Sequence, residues 1–170
     1  NFSILLEPEG RNTAAAIAVG ALKAIENGED PILLVLSSDH KITNNIKLVE
    51  IIEKARKLAL EGAIITFGII PTYPETGYGY IESEKTIKND VFEKNKVLNF
   101  IEKPNKELAE KLFVKNNFSW NSGIFVFKAS VILSEIDKYF PEVKSIISFG
   151  YNYYTENSNS DNNYKISNYA

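Results

Sequence analysis

The sequence predicts an α/β domain with a mainly parallel, mixed β-sheet flanked by helices. Short aliphatic runs at 4–6, 32–36 and 63–70 alternate with two segments of helical periodicity. Strand–helix–strand order of this kind builds crossover units whose strands run the same way. The 170 residues suffice for one domain with a sizeable core.

The run at 4–6 stops at Glu7-Pro8-Glu9-Gly10, a turn composition. Asn12 or Thr13 then caps an alanine-rich helix that runs to Asn27 and is closed by Gly28. Pro31 precedes the strand at 32–36, and Ser37-Ser38-Asp39-His40 stands at its C-terminal end. Ile46, Val49, Ile52, Ala55 and Ala59 recur at helical spacing over 46–61, and Gly62 ends that helix. After the strand at 63–70, Gly77 to Glu82 reads as a strand entered through glycines, and 83–96 as a polar loop or hairpin. Residues 97–101 form a strand ending at Glu102-Lys103-Pro104. Further on, 106–116 is expected to be helical, 123–127 a strand, and 129–139 a helix up to Pro141. The domain is expected over 1–150. Residues 151–170, rich in Tyr, Asn and Ser, form a polar segment that buries little.

Composition removes several classes of function. A formal net charge of -3 gives no broad basic face for nucleic acid. With no cysteine and one histidine, His40, a zinc site of the usual His and Cys ligands is excluded. Apolar stretches stop well short of a membrane-spanning length and no signal peptide is visible, so a cytoplasmic location is the default. There is no Gly-x-x-x-x-Gly-Lys phosphate loop and no Gly-x-Ser-x-Gly elbow. The chain contains no methionine and begins Asn1-Phe2-Ser3 before an apolar run, which reads as a start inside a larger domain; a processed N-terminus is the competing reading.

In parallel-rich sheets ligands bind beyond the carboxyl ends of the strands. Glu7, Asp39 and the loop 71–79 all follow strands. Asp39 offers a hard oxygen to Mg²⁺, or caps a turn. Arg11, Asn12 and Thr13 bring donors to a helix N-terminus, either for an anion or polar ring, or as ordinary capping. Gly77 and Gly79 permit close backbone approach, in a binding loop or a tight hairpin. Glu102 can accept sugar hydroxyls and Lys103 can meet a phosphate, provided the strand ends or bulges there; an exposed ion-paired edge is the alternative. Trp120-Asn121-Ser122-Gly123 suits sugar binding by packing plus an amide, or marks a core tryptophan at a turn.

Taken together, the segments 4–14, Leu36-Ser37-Ser38-Asp39-His40, 66–69 with 71–81, Phe100-Ile101-Glu102-Lys103-Pro104 and 120–125 resemble the bacterial mannose-1-phosphate guanylyltransferases, from the first residues to about Pro141. Glu-Lys-Pro and Asn-Ser-Gly are shared with wider sugar nucleotidyltransferases, whereas Glu-Pro-x-Gly-Arg-Asn-Thr points to the GDP-mannose branch. The resemblance implies a Rossmann-like catalytic domain, of which 1–150 is the central part. It implies Mg²⁺, GTP and mannose 1-phosphate as partners, and in-line attack of the sugar phosphate on the α-phosphorus. By motif, Asp39 would hold Mg²⁺ and share catalysis with Lys103. Glu7, Arg11, Asn12 and Thr13 would lie by the nucleotide. Gly79, Tyr80, Glu102 and Asn121 would contact the sugar, and Lys103 its phosphate. The family's glycine- and arginine-rich loop would lie upstream of Asn1, so the chain alone is expected to be inactive. Residues 166–170 resemble the family segment that supplies a second metal-binding aspartate, with Asn168 at that place; either metal binding is altered or this end aligns differently. The alternatives are a non-catalytic nucleotide-sugar-binding or regulatory subunit, and a transferase using another base or sugar 1-phosphate; oligomeric state is left open.

Overall fold

The computed structural model describes residues 4–5, 12–88 and 93–141. In chain order these give α1 (Asn12–Ile25), β1 (Ile32–Val35), α2 (Asn45–Leu60), β2 (Ile65–Ile69), β3 (Tyr80–Ser83), β4 (Val97–Ile101), α3 (Lys106–Phe113), β5 (Phe118–Lys128) and α4 (Ala129–Tyr139). Ile4 and Leu5 carry no strand pairing, and Leu6 lies outside the described residues, as does the polar segment 151–170.

The helix ends follow local chemistry. Asn44 caps α2 by accepting the Lys47 N–H at 2.9 Å, and Asn105 caps α3 by accepting the Leu108 N–H at 2.9 Å. Gly28 closes α1 with φ 79°, donating its N–H to the Ile25 carbonyl at 2.9 Å. For α4 the cap comes from a hundred residues away. Its N-cap residue Lys128 has no side-chain cap, and Asp30 accepts instead from the Ser130 N–H at 2.9 Å and the Ser130 hydroxyl at 2.8 Å. The Ser130 backbone bond and then the Ser130 hydroxyl hold the Asp30 carboxyl below the usual carboxylate range; burial opposes them and Lys128 adds a lesser pull downward.

The five strands form one sheet in the order β1-β5-β3-β4, with β2 also on β5. Phe125 and Val126 pair with Val35 and Leu34 of β1, and also with Thr66 and Ile65 of β2. The two strands therefore flank β5 on opposite edges. β1, β2 and β3 run in one direction, as the crossover rhythm requires. Yet every pairing among the described residues is antiparallel, because β5 enters between β1 and β2 and pairs with β3 further along the edge that β1 occupies. The expected parallel-rich ladder is thus a mixed sheet with antiparallel bonding. The α2 crossover that joins β1 to β2 spans the inserted strand.

Helix α2 covers one sheet face, where Ala55 and Ala59 meet Val126 with Ile32, Ile65 and Phe67 around them. Helices α1 and α4 pack on each other through Ala18, Ile136 and neighbouring aliphatics. Ala18 on α1, and Ala55 and Ala59 on α2, let each helix sit close to its own partner, α4 and the sheet respectively. Helix α3 closes a third cluster, in which Ala109 and Leu112 meet Tyr80, Phe118 and Trp120. Fully buried side chains such as Phe127 and Val126 each contribute about 1.5–3 kcal/mol by leaving water. No helix among the described residues is long and apolar enough to cross a membrane.

Candidate active site

The centre of the site is an irregularity in β5. Thr66 pairs with Phe125 and Gly68 with Asn121, so four steps on β5 face two on β2. The two-residue surplus lies between Asn121 and Phe125, with Gly123 at φ 70°. A non-glycine residue there would cost about 1–2 kcal/mol in backbone strain. The sequence predicts a strand that starts at Gly123; instead the strand starts at Phe118 and the motif is a bulge inside it. The bulge re-aims Asn121. Its Oδ1 accepts the Thr66 hydroxyl at 2.8 Å and the Gly123 N–H at 3.3 Å, while its backbone N–H donates to the Gly79 carbonyl at 2.8 Å.

That backbone bond joins Asn121 to the second part of the site. A Cβ added to Gly79 would lie 2.6 Å from Phe100 Cζ and 3.0 Å from Glu102 Oε2, so glycine is required for ring and carboxylate to come this close. Strand β4 ends at Ile101 and Lys103 adopts φ 40°, a left-handed conformation unusual for lysine and more so before a proline. The turn resolves the alternation problem posed by Glu102-Lys103. The two exposed side chains fall on one side, with Nζ 3.9 Å from Glu102 Oε1, and Pro104 is buried beneath them.

Asp39 lies exposed in the turn after β1. Ser37 and His40 of the same loop come within 3.4 and 3.9 Å of where a Gly123 Cβ would stand, so this loop borders the bulge at its Gly123 end. From there a groove of about 390 Å³ runs between α1 and β1. Thr13, Ser37 and Gly123 line it, with an apolar wall that includes Ile17, Leu33 and Val35. The bulge thus links Gly79, Glu102 and Lys103 at its Asn121 end with the Asp39 loop and the Thr13 groove at its Gly123 end. Asn12 is the first residue of α1; Glu7, Arg11 and Asn168 lie outside the described residues.

One aromatic expectation changes and one open alternative is decided in favour of the core. Tyr80 is fully buried against α3 and its hydroxyl donates to the Glu75 carbonyl at 2.9 Å, so its side chain is not presented to a ligand. Trp120 is 7% exposed on the face opposite Asn121, held edge-on by Tyr73 and Tyr78 at 5.2 Å each. The aromatic ring beside Glu102 is Phe100, 48% exposed. Strand alternation could have singled it out, since it is two residues before Glu102.

Glu75 is a further residue that sequence motifs did not single out. Its carboxylate accepts the Thr76 and Gly77 N–H groups at 2.8 Å each and the Tyr73 hydroxyl, which folds the 71–79 loop around it. The Gly77 bond is the main reason that its carboxyl is held below the usual range; Thr76 and Tyr73 add to this while burial opposes it. The same anion raises the Tyr73 phenol.

Asp39 fits Mg²⁺ in the mode where one or two carboxylates act with substrate phosphates. Among the described residues no group of three His, Cys, Asp or Glu forms a cage that would hold a metal by protein ligands alone.

This mixed sheet, with a bulged strand delivering an amide beside a carboxylate and a lysine, is found in a chain whose residues 1–165 match the nucleotidyl transferase family; the chain belongs to that family. At finer grain it is 45% identical over 141 residues to the mannose-1-phosphate guanylyltransferase of Klebsiella pneumoniae, an alignment covering 83% of this chain and 30% of that protein. A solved structure described as a mannose-1-phosphate geranyltransferase from Thermus thermophilus superposes with a TM-score of 0.73 at 30% identity, over 85% of this chain and 42% of that one. Another, described as a mannose-6-phosphate isomerase from Helicobacter pylori, gives 0.71 at 37% identity, over 83% and 51%. The chain spans about 30% of the length of the curated relatives that it matches.

Proposed function

We propose that the whole protein transfers a guanylyl group from GTP to mannose 1-phosphate, forming GDP-mannose and pyrophosphate, and that residues 1–150 are the central part of its catalytic domain, with 151–170 leading out of it. The observation that carries this reading is the convergence of Gly79, Glu102, Lys103 and Asn121 around the β5 bulge. It is supported by the similarity to a protein named for this reaction.

In this reading the Glu102 carboxylate accepts sugar hydroxyls, the Asn121 amide donates to the sugar, and Gly79 leaves room for the ring beside Phe100. Lys103 carries its ammonium to the sugar phosphate as a point charge. Tyr80 acts through the loop, by fixing the Glu75 carbonyl beneath it. Glu7, Arg11, Asn12 and Thr13 would contact the guanosine; Asn12 and Thr13 open α1, where backbone N–H groups favour anions and polar rings. Mg²⁺ at Asp39 would neutralise charge on the triphosphate. A phosphate oxygen of mannose 1-phosphate attacks the α-phosphorus in line. The bond from that phosphorus to the bridging oxygen breaks, and pyrophosphate leaves with the electron pair. The attacking oxygen is already anionic at neutral pH, so no side chain has to remove a proton. Alignment and charge neutralisation carry the rate. We assign the reaction to the cytoplasm.

Pyrophosphate release by the full-length protein tests the reading, with mannose 1-phosphate and GTP, ATP, UTP or dTTP in turn. GTP is expected to be preferred, because a site that hydrogen-bonds one base edge leaves its own groups unpaired with another base. Equal rates with all four would remove guanine from the proposal. Isomerisation of mannose 6-phosphate without GTP consumption would replace it with the activity for which the Helicobacter pylori protein is named.

A further inference from the structure

We infer that Thr66 is a positioning residue for sugar-phosphate recognition, which it serves by fixing the Asn121 amide with its NH₂ group toward the cleft; the inference rests on the reading of Asn121 as a sugar contact. An amide can present either end, and hydrogen-bond partners decide which. One amide atom of Asn121 meets both the Gly123 N–H at 3.3 Å and the Thr66 hydroxyl at 2.8 Å. A backbone N–H only donates, so that atom is the oxygen. The hydroxyl must then also donate to it, since two oxygens at 2.8 Å require a shared proton. The Ile124 carbonyl, 3.3 Å from the same hydroxyl, competes weakly. With Oδ1 held twice, Nδ2 is left for a ligand, and its two donors reach none of the described residues.

The arrangement exists only because of the bulge. Thr66 pairs with Phe125, so a regular antiparallel ladder would set Gly68 opposite Gly123 and carry Asn121 on to Ile70, far along the strand from Thr66. The two-residue surplus on β5 instead sets Asn121 opposite Gly68, within reach of the Thr66 hydroxyl. Thr66 touches no substrate itself. Without its hydroxyl the amide keeps only the longer Gly123 bond. It can then rotate and offer an acceptor where the ligand needs a donor.

The test uses the full-length protein and steady-state kinetics with each substrate varied in turn. T66V keeps the side-chain shape and removes the donor; T66S keeps the donor. T66V is expected to raise KM for mannose 1-phosphate roughly tenfold, the worth of about one oriented hydrogen bond, with KM for GTP unchanged. T66S should stay near the parent, and T66V should do no further harm in an N121A background. If T66V does not fold, T66A reads the same donor loss against T66S. T66V kinetics equal to the parent beside a defective N121A would overturn the inference and leave the Asn121 reading intact. Equal loss toward both substrates in T66V and T66S would reduce Thr66 to a structural role and also overturn it. An unimpaired N121A would remove the sugar contact and the inference with it.

Discussion

Gly68→Ala should destabilise the fold at the flank of the bulge. A Cβ at Gly68 would stand 2.3 Å from Ser119 Oγ and 2.8 Å from Ser119 Cβ. Rotating the serine hydroxyl away relieves the first contact. It cannot relieve the second, so one strand must move by roughly 1 Å to regain an ordinary contact near 3.5–4.0 Å. Ser119 is buried, so neighbours resist that movement. Overpacking of this kind costs about 1–3 kcal/mol. Replacing glycine also restricts the unfolded chain, which returns about 0.4–1 kcal/mol. The net loss is about 0–2.6 kcal/mol and centres on about 1.3 kcal/mol, a fall in Tm of roughly 3–5 °C for a domain of this size. Thermal and urea unfolding measure it, with an unchanged m value showing that stability alone has moved. The decisive comparison repeats the substitution in a Ser119→Gly background, where the clash is gone. A coupling of about 1–3 kcal/mol is expected, the overpacking cost itself, because the effect on the unfolded chain is the same in both backgrounds and cancels. Coupling within roughly 0.3–0.5 kcal/mol of zero, the usual scatter of independent sites, would refute the steric argument.

Gly79→Ala should behave in the opposite way: its Cβ meets the tip of a half-exposed Phe100 ring that can swing outward, so Tm should change by less than for Gly68→Ala, while displacement of the Glu102 carboxylate raises KM for the sugar phosphate. Glu75 makes the 71–79 loop acid-sensitive. Its folded carboxyl lies below the ordinary value, so its stabilisation is complete above that ordinary value and is lost as pH falls through the folded one. Fluorescence of Trp120, the chain's one tryptophan and in contact with Tyr73 and Tyr78, should report a loosening in that acid window that Glu75→Gln removes. Asn105→Ala deletes the α3 cap and should cost about 1 kcal/mol in urea unfolding, with Asn105→Ser close to the parent.

The order and kind of the elements were legible because they depend on local signals. Helical spacing over 46–61 and the glycines at 28 and 62 each act within a few residues, and the corresponding helices lie close to where those signals put them. The chemistry-bearing motifs were also legible as types: a carboxylate beside a lysine, an amide before a glycine, an aspartate after a strand. Their roles remain proposals. Tertiary structure alone decided what lies next to what. Nothing local to 32–35 or 65–69 announces that a strand from beyond residue 117 will enter between them, because ladder partners are chosen by long-range burial. The same entry turned Asn-Ser-Gly from an expected turn into a bulge, and so brought Thr66 to Asn121 across 55 residues. It put Tyr80 and Trp120 under α3 and left Phe100 beside Glu102, since the pleat sends alternate side chains to opposite faces once the pairing is fixed. Residue type sets what chemistry is available; the register of β5 sets which groups share a face.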